Sequence, residues 1–174
     1  MTAGAGRARI VERAGRAGVV LSDAALERLA LYLELLGRWN KTINLTALPL
    51  EPPTDLAIDR LIVEPLIAAR EVVSTDRLLV DLGSGGGSPA VPLVVAAPHL
   101  RLVMVESRER KGAFLREVVR QLGLRDAQVV TARYETLSSR GGGLAGSVDV
   151  VSVRAVRADE SLWEAVRGLL GPGG

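Results

Sequence analysis

The chain has 174 residues, of which 48% are hydrophobic and 24% charged, which suits one folded domain with a small appendage. It contains no cysteine and a single histidine, His99, which excludes disulfides, thiolate or multi-histidine metal sites and cysteine nucleophiles. The formal net charge is only +2 and no apolar run reaches the roughly 20 residues of a membrane span, so we expect a cytoplasmic protein without a membrane or metal partner.

The first part of the chain, residues 1–72, is predicted to be helical. A short helix is expected over residues 10–17 and should end at Gly18, because glycine readily adopts the left-handed conformation that follows a helix. Ser22 has the side chain of an N-cap, and the leucines that follow recur at helical spacing. A second helix is therefore predicted from Ser22 to Gly37.

A third helical segment is predicted over residues 54–69, and Pro65 lies inside it. Because proline lacks the N–H that a helix uses, we expect a kink or a new start there. From residue 73 onward, short apolar runs alternate with amphipathic stretches. The chain is therefore divided into a helical extension, residues 1–72, and a second unit, residues 73–174.

The second unit is predicted to be an α/β structure with a doubly wound parallel sheet, covered by helices on both faces. Apolar runs predict four strands, at residues 78–80, 102–105, 127–131 and 148–153. Helices are predicted at residues 89–97, 108–122 and 161–170. Ser107 is expected to cap the second of these helices and Gly123 to end it, and Gly141–Gly143 should form a loop.

The strongest functional signal is a glycine-rich loop, Asp81–Pro89, between the first predicted strand and the next helix. Glycines let a backbone turn sharply and approach a ligand closely, and the start of the helix offers free N–H groups. Glu106 ends the second strand, where a carboxylate can accept hydrogen bonds from both hydroxyls of a ribose. This layout predicts a site for a cofactor that carries a nucleoside.

Two classes of cofactor use this layout. A dinucleotide requires Gly-x-Gly-x-x-Gly, but Ser88 replaces the third glycine in the frame from Gly83, and a frame that ends at Ala90 fits only a looser version. Asp81 also opposes a dinucleotide, because a carboxylate at the strand end repels a pyrophosphate. The same carboxylate suits the cationic methionine part of S-adenosylmethionine. We therefore favour an S-adenosylmethionine-dependent methyltransferase over an NAD-dependent oxidoreductase.

Five blocks of sequence add a more specific signal. In chain order they lie within Trp39–Thr46, Asp81–Pro92, Glu106–Leu115, Arg133–Glu135 and Asp149–Ala155. Together they resemble the bacterial GidB or RsmG family, which methylates guanine N7 in small-subunit (16S) ribosomal RNA. The resemblance implies a Rossmann-like methyltransferase fold with an N-terminal helical extension. It also implies S-adenosylmethionine as cofactor, ribosomal RNA or the small ribosomal subunit as partner, and a monomer.

The resemblance implies roles for individual residues. Those expected to bind the cofactor are Asp81, Gly83, Gly85, Ser88, Glu106, Tyr134, Glu135 and Arg154. Those expected to contact RNA are Asn44, Arg133 and Arg154. Arg154 is also the expected catalytic residue, because it follows the fourth strand at the edge where open α/β sheets bind ligands.

Several positions depart from the family's pattern. The family usually has His, Ser, Gly and Ser at the positions of Leu56, Arg60, Ala90 and Val153. The family also continues beyond the position of Gly174 with further strands and a Lys-Gly motif, so C-terminal strands are expected to be missing. These departures leave a second hypothesis open: a non-catalytic or degenerate relative that binds cofactor or RNA.

Overall fold

The computed structural model describes residues 3–137 and 144–173, and the side chains from residue 6 onward. Four helices precede the first strand in this part of the chain: α1 Ala3–Arg16, α2 Asp23–Asn40, α3 Asp55–Ile58 and α4 Glu64–Ala68. The predicted start of the first helix was wrong. The helix begins at Ala3, and ion pairs from Arg7 to Asp23 and from Arg9 to Asp55 connect it to α2 and α3.

The N-terminus of α2 is confirmed, because the Ser22 hydroxyl accepts a hydrogen bond from the N–H of Ala25 at 3.2 Å. The predicted end at Gly37 was wrong, since α2 continues to Asn40. Gly37 is buried, and a Cβ there would lie 3.8 Å from the Cβ of Leu50. This glycine therefore lies inside the helix, in ordinary packing distance of Leu50, and does not end it.

The third helical segment changes its geometry twice. Thr54 caps α3 by accepting a hydrogen bond from the N–H of Ala57, and a π-helical turn, Asp59–Val63, then leads into α4. Pro65 lies in the first turn of α4, which confirms the predicted restart. A 3₁₀ turn, Ala69–Glu71, ends the segment.

A four-stranded parallel sheet forms the centre of the molecule, as predicted. Its order is β3-β2-β1-β4, built from β1 Leu78–Leu82, β2 Arg101–Glu106, β3 Ala127–Thr131 and β4 Val150–Val153. Asp81 lies opposite Met104 on one side and Ser152 on the other. All four strands run in the same direction, so their carboxyl ends meet at one edge of the sheet.

The start of β4 is two residues later than predicted. The Asp149 carboxylate instead accepts hydrogen bonds from the N–H groups of Arg77 and Leu78, at 2.8 and 2.9 Å. Val148 pairs in parallel with Leu170, just after the last helix, and is buried. These contacts hold the entry of the edge strand in place.

Three helices follow strands: α5 Ala90–Ala96, α6 Glu109–Leu122 and α7 Glu160–Leu169. The prediction that Ser107 caps α6 was wrong. Arg108 takes the N-cap position, and its N–H donates to Glu106 Oε1 at 2.8 Å. Gly123 ends α6 with a φ of 63°, as predicted, while the predicted loop Gly141–Gly143 lies outside the described residues.

Both faces of the sheet are covered. Leu79 and Met104 belong to a core that includes residues of α2, α5 and α6, whereas Val80 and Val105 belong to a second core with α7. Tyr32 of α2 is part of the first core, so the helical extension packs directly against this face. In the described part of the chain, the helices are all too short or too polar to cross a membrane.

Candidate functional site

A cavity of about 460 Å³ lies at the carboxyl edge of the sheet and is called the loop cavity below. Three regions line it: the glycine loop after β1, the end of β2 with the first turn of α6, and the end of β4. The helical extension closes it with the segment 45–48 and with Leu36 and Leu61. The lining residues from the three sheet-edge regions are Gly83, Ser84, Gly85, Gly86, Ser88, Glu106, Arg108, Lys111, Arg154 and Ala155.

Two positions in the loop show why this turn contains glycine. Gly83 has a φ of 74°, and a Cβ there would lie 2.5 Å from Cγ2 of Val156. Gly85 has a φ of 52°, but the nearest atom to its Cβ position is the oxygen of Gly83, at 3.7 Å. Gly83 is therefore dictated by packing, whereas the space above Gly85 is open toward the cavity.

Glu106 joins the loop to the second strand. Its side chain is buried, Oε2 accepts from the N–H of Gly85 at 2.9 Å, and Oε1 accepts from the N–H of Arg108. Each carboxylate oxygen keeps a second lone pair. The carboxylate is therefore fixed in direction and can still accept hydrogen bonds from a ligand.

Asp81 lies beneath the loop and is 1% exposed. Its Oδ1 accepts from the Ser152 hydroxyl at 2.5 Å, but Oδ2 has no hydrogen-bond partner among the described residues. Burial, with a smaller contribution from the charge of Glu106, raises the pKa of Asp81 to about 6, against the lowering effect of Ser152 and Ser84. An orphaned buried oxygen of this kind suits a cationic ligand group.

Arg154 crosses the mouth of the cavity from the end of β4. Its Nη1 donates to the backbone carbonyl of Arg60 and lies 3.3 Å from Ser88 Oγ, and its Nη2 lies 3.7 Å from Glu64 Oε2. Ala155 follows with a φ of 56°, a left-handed conformation that costs a non-glycine residue energy. Such strain clusters at functional sites.

The π-helical turn explains how Arg154 and Ser88 are held. Ser88 donates its hydroxyl hydrogen to the carbonyl of Leu61 at 2.9 Å. An α-helical bond to the Leu61 carbonyl, or a π-helical bond to that of Arg60, would need the N–H of residue 65. Pro65 has none, so these carbonyls lack that donor and accept from the site instead.

Three contributors were not among the predicted site residues. The Tyr32 hydroxyl donates to the carbonyl of Gly86 at 2.7 Å, and burial raises the pKa of this tyrosine. Arg108 and Lys111 bring cationic side chains to the cavity wall. Tyr32 lies three residues after Leu29 and four before Leu36, so helical spacing is a signal that could have put it on the inner face of α2, but only the fold brings it to the loop.

Asn40 holds the wall that the helical extension contributes. Its Oδ1 accepts from the N–H groups of Leu45 and Thr46 at 2.9 and 3.0 Å, and its Nδ2 donates to the Thr46 carbonyl at 3.1 Å. These bonds fix the turn after α2. Asn40 is therefore a positioning residue for the cavity wall.

The structure does not bring all the predicted site residues into the cavity lining. Gly83, Gly85, Ser88, Glu106 and Arg154 line it, with Asp81 directly below. Four other predicted residues lie outside the lining: Asn44, Arg133, Tyr134 and Glu135. Asn44, Arg133 and Glu135 are exposed, whereas Tyr134 is half-buried against the core beneath α7. The last three follow β3 at the same edge of the sheet.

Comparisons with solved structures support the architecture. The fold resembles a precorrin-6y C5,15-methyltransferase from Geobacter metallireducens (TM-score 0.50, 20% identity, 64% of this chain and 57% of that chain). It also resembles a putative S-adenosylmethionine-dependent methyltransferase from Methanococcus maripaludis (TM-score 0.53, 15% identity, 82% of this chain and 59% of that chain). At these identities the similarity concerns the fold alone.

Sequence comparisons identify the family. A family model described as GidB, rRNA small subunit methyltransferase G, matches residues 25–174. Ribosomal RNA small subunit methyltransferase G of Stenotrophomonas maltophilia is 40% identical over 162 residues, which cover 92% of this chain and 71% of that protein. These matches favour the methyltransferase prediction over the oxidoreductase alternative. The chain therefore belongs to the GidB family of rRNA small subunit methyltransferases.

Proposed function

We propose that the chain binds S-adenosylmethionine in the loop cavity and methylates N7 of a guanine in small-subunit ribosomal RNA. The observation that carries this proposal is the loop cavity itself, where a buried carboxylate with a free oxygen, Asp81, lies below a glycine loop anchored by Glu106. A dinucleotide suits this arrangement less well, because Asp81 would repel a pyrophosphate.

The residues present fit the cofactor. Asp81 supplies negative charge for the methionine ammonium, Gly83, Gly85 and Ser88 form the loop around the methionine end, and Glu106 accepts from the ribose hydroxyls. Tyr134 and Glu135 follow β3 at the same edge, which is the side proposed for the adenine. Bound there, S-adenosylmethionine supplies an electrophilic methyl group on sulfur.

Methylation of guanine N7 requires the protein mainly to position the two reactants. Guanine N7 carries an available lone pair at neutral pH, so no residue has to remove a proton from it. Arg154 is proposed as the catalytic residue, because its guanidinium can donate to guanine O6 or to a nearby phosphate. Its contacts with Arg60 and Ser88 hold it at the mouth, so little reorganisation is needed at the moment of reaction.

The surroundings of the mouth suit an RNA partner. Arg108 and Lys111 lie in the wall, and the exposed side chains of Asn44 and Arg133 are proposed as further RNA contacts. We propose that the protein acts as a monomer on the small ribosomal subunit or its RNA, in the bacterial cytoplasm where that substrate is found. Residues 1–72 would form the substrate-side extension and residues 73–174 the cofactor-binding unit.

Two measurements test this proposal. Calorimetry with S-adenosylmethionine, its demethylated product and NAD should show binding of the first two only. Incubation with small ribosomal subunits and S-adenosylmethionine should produce N7-methylguanine, detected by mass spectrometry of nuclease-digested RNA. Binding of NAD in place of S-adenosylmethionine would contradict the cofactor assignment, and methylation at another guanine atom would contradict the position.

A further inference from the structure

A second cavity lies beside the loop cavity, between the end of α2 and the start of α6. We name it the tryptophan cavity; its volume is about 430 Å³ and it is lined by Arg38, Trp39, Thr42, Ile43, Arg110 and Ala113. The two cavities are neighbours along both walls. On one wall Ile43 lies two residues before Leu45 of the loop cavity, and on the other Arg110 directly precedes Lys111 of the loop cavity.

The lining combines a flat aromatic surface with cations. Trp39 is half-buried and packs against the buried ring of Phe114, with ring centroids 5.7 Å apart and planes tilted by 59°. This contact fixes the indole in place, and Ile43 and Ala113 extend the apolar surface. Unpaired RNA bases bind by stacking on aromatic side chains and on arginine guanidinium planes. The cavity therefore offers the chemistry that an unpaired base requires.

The charges around the cavity favour a polyanion. Among the described residues, no ion pair or hydrogen bond is made by the charged side chains of Arg108, Arg110 and Lys111. The carboxylate between them in sequence, Glu109, lies 3.5 Å from Arg116, while Arg38 is paired with Glu34 at 2.7 Å. Uncompensated cations thus run from one cavity to the next. An apolar protein segment would leave them without partners, whereas an RNA backbone would neutralise them.

We propose that the tryptophan cavity binds one unpaired nucleotide of the RNA substrate, next to the target guanine in the loop cavity. The base stacks on Trp39 beside Ile43, and Arg110 contacts its phosphate. The inference rests on the proposed function, since it takes RNA as the ligand of the neighbouring site. If the tryptophan cavity binds such a nucleotide, the protein recognises an unpaired RNA segment rather than a duplex.

Fluorescence of Trp39 tests the stacking directly. The chain has two tryptophans, so Trp163→Phe, at a half-exposed position of α7, leaves Trp39 as the only indole. The probe is a short single-stranded RNA of one guanine flanked by uridines, and a second probe replaces the flanking bases with abasic sugars. The first probe should quench Trp39 emission, and the dissociation constant from this titration should equal the one measured by fluorescence anisotropy of the RNA. The abasic probe should bind more weakly and leave the emission unchanged.

Two variants test the cavity without disturbing the core. Ala113→Leu fills it from an exposed position and should lower RNA affinity by about tenfold, the loss of one stacked base. Arg110→Gln should reduce the slope of log affinity against log salt by about 0.7, the value for one phosphate contact on a single strand. Ala24→Leu and Arg125→Gln make the same chemical changes at exposed positions elsewhere and should bind RNA like the wild type.

Calorimetry with S-adenosylmethionine on each variant separates the possible failures. If RNA binds without quenching Trp39 emission, and Ala113→Leu binds it as tightly as the wild type, this inference is overturned. The proposed function would remain intact, and the tryptophan cavity would be assigned to another partner, such as a protein. If the wild type binds S-adenosylmethionine but no RNA, both the inference and the RNA part of the proposed function are overturned. Quenching that Ala113→Leu abolishes, with unchanged cofactor affinity, supports the inference.

Discussion

Arg154 donates a hydrogen bond to the backbone carbonyl of Arg60 and thereby connects the end of β4 to the π-helical turn of the extension. The turn offers this carbonyl because Pro65 provides no N–H to it. The orientation of the proposed catalytic side chain thus depends on a proline in a different part of the chain. The same turn anchors Ser88 of the glycine loop through Leu61.

Replacing Pro65 tests this dependence. Pro65→Ala restores an N–H that competes for the carbonyls of Arg60 and Leu61, so Arg154 and Ser88 should lose their anchors. Methylation of small ribosomal subunits should fall by about tenfold, consistent with one charged hydrogen bond worth about 1.5–3 kcal/mol. The melting temperature should change little, because Pro65 lies in the first turn of α4, where both proline and alanine are tolerated. Pro98→Ala, in the exposed loop after α5, is the control. An unchanged rate in Pro65→Ala would show that the proline does not position the site.

Arg154→Ala should affect the reaction more than cofactor binding. The loss of a charged hydrogen bond to the substrate is worth about 1.5–3 kcal/mol, or roughly one to two decades in rate. Single-turnover methylation measures the rate, and calorimetry measures the affinity for S-adenosylmethionine. Arg167→Ala removes an exposed arginine from α7 and should change neither quantity. Equal losses of rate and affinity in Arg154→Ala would contradict a role at the substrate.

Gly85→Asp should abolish binding of S-adenosylmethionine while the protein stays folded. The side chain would enter the open space above the loop and add negative charge beside Glu106. Gly123→Asp is a matched control, since Gly123 has a similar φ, of 63°, and open space around it at the far end of α6. Both variants carry the same backbone strain and charge change. Equal cofactor affinity of Gly85→Asp and wild type, measured by calorimetry, would argue against the loop as the binding site.

Asp81→Asn should stabilise the ligand-free protein while it destroys cofactor binding. The pKa of Asp81 rises to about 6 in the fold from an ordinary value of 3.8, so the folded chain holds this proton more tightly than the unfolded chain. Stability should therefore fall as pH rises from about 4 to about 6, with a full cost of about 3 kcal/mol at pH 7. The asparagine avoids most of this cost but leaves an amide N–H to be satisfied, so we expect a gain of about 1–2 kcal/mol.

Urea denaturation at several pH values measures this effect. The gain in unfolding free energy should be present at pH 7 and vanish toward pH 4, where the wild-type carboxyl is protonated as well. Asp126→Asn, which changes an exposed carboxylate, should show no such gain. A gain that is the same at pH 4 and pH 7 would mean that the buried charge is not its source.

The sequence determined the order of elements and the position of the glycine loop. Apolar runs located all four strands to within a few residues, and the glycines with Asp81 and Glu106 predicted a loop at the carboxyl edge of the sheet, because these features depend on local spacing. It missed that α2 passes through Gly37 and that Ser107 is not a cap. At the start of α6, the hydrogen bond from the Arg108 N–H to the Glu106 carboxylate outweighs the local preference for a serine cap.

Tertiary structure alone decided what surrounds the loop. Tyr32 bonds to Gly86, Ser88 to Leu61 and Arg154 to Arg60, and these partners lie between 27 and 94 residues apart in the chain. Periodicity reports which face of an element is buried, but not which other element covers it. For the same reason, the sequence grouped Asn44 and Arg133 with the site, although neither lines the loop cavity. The fold places Arg108 and Lys111 in the wall of that cavity instead.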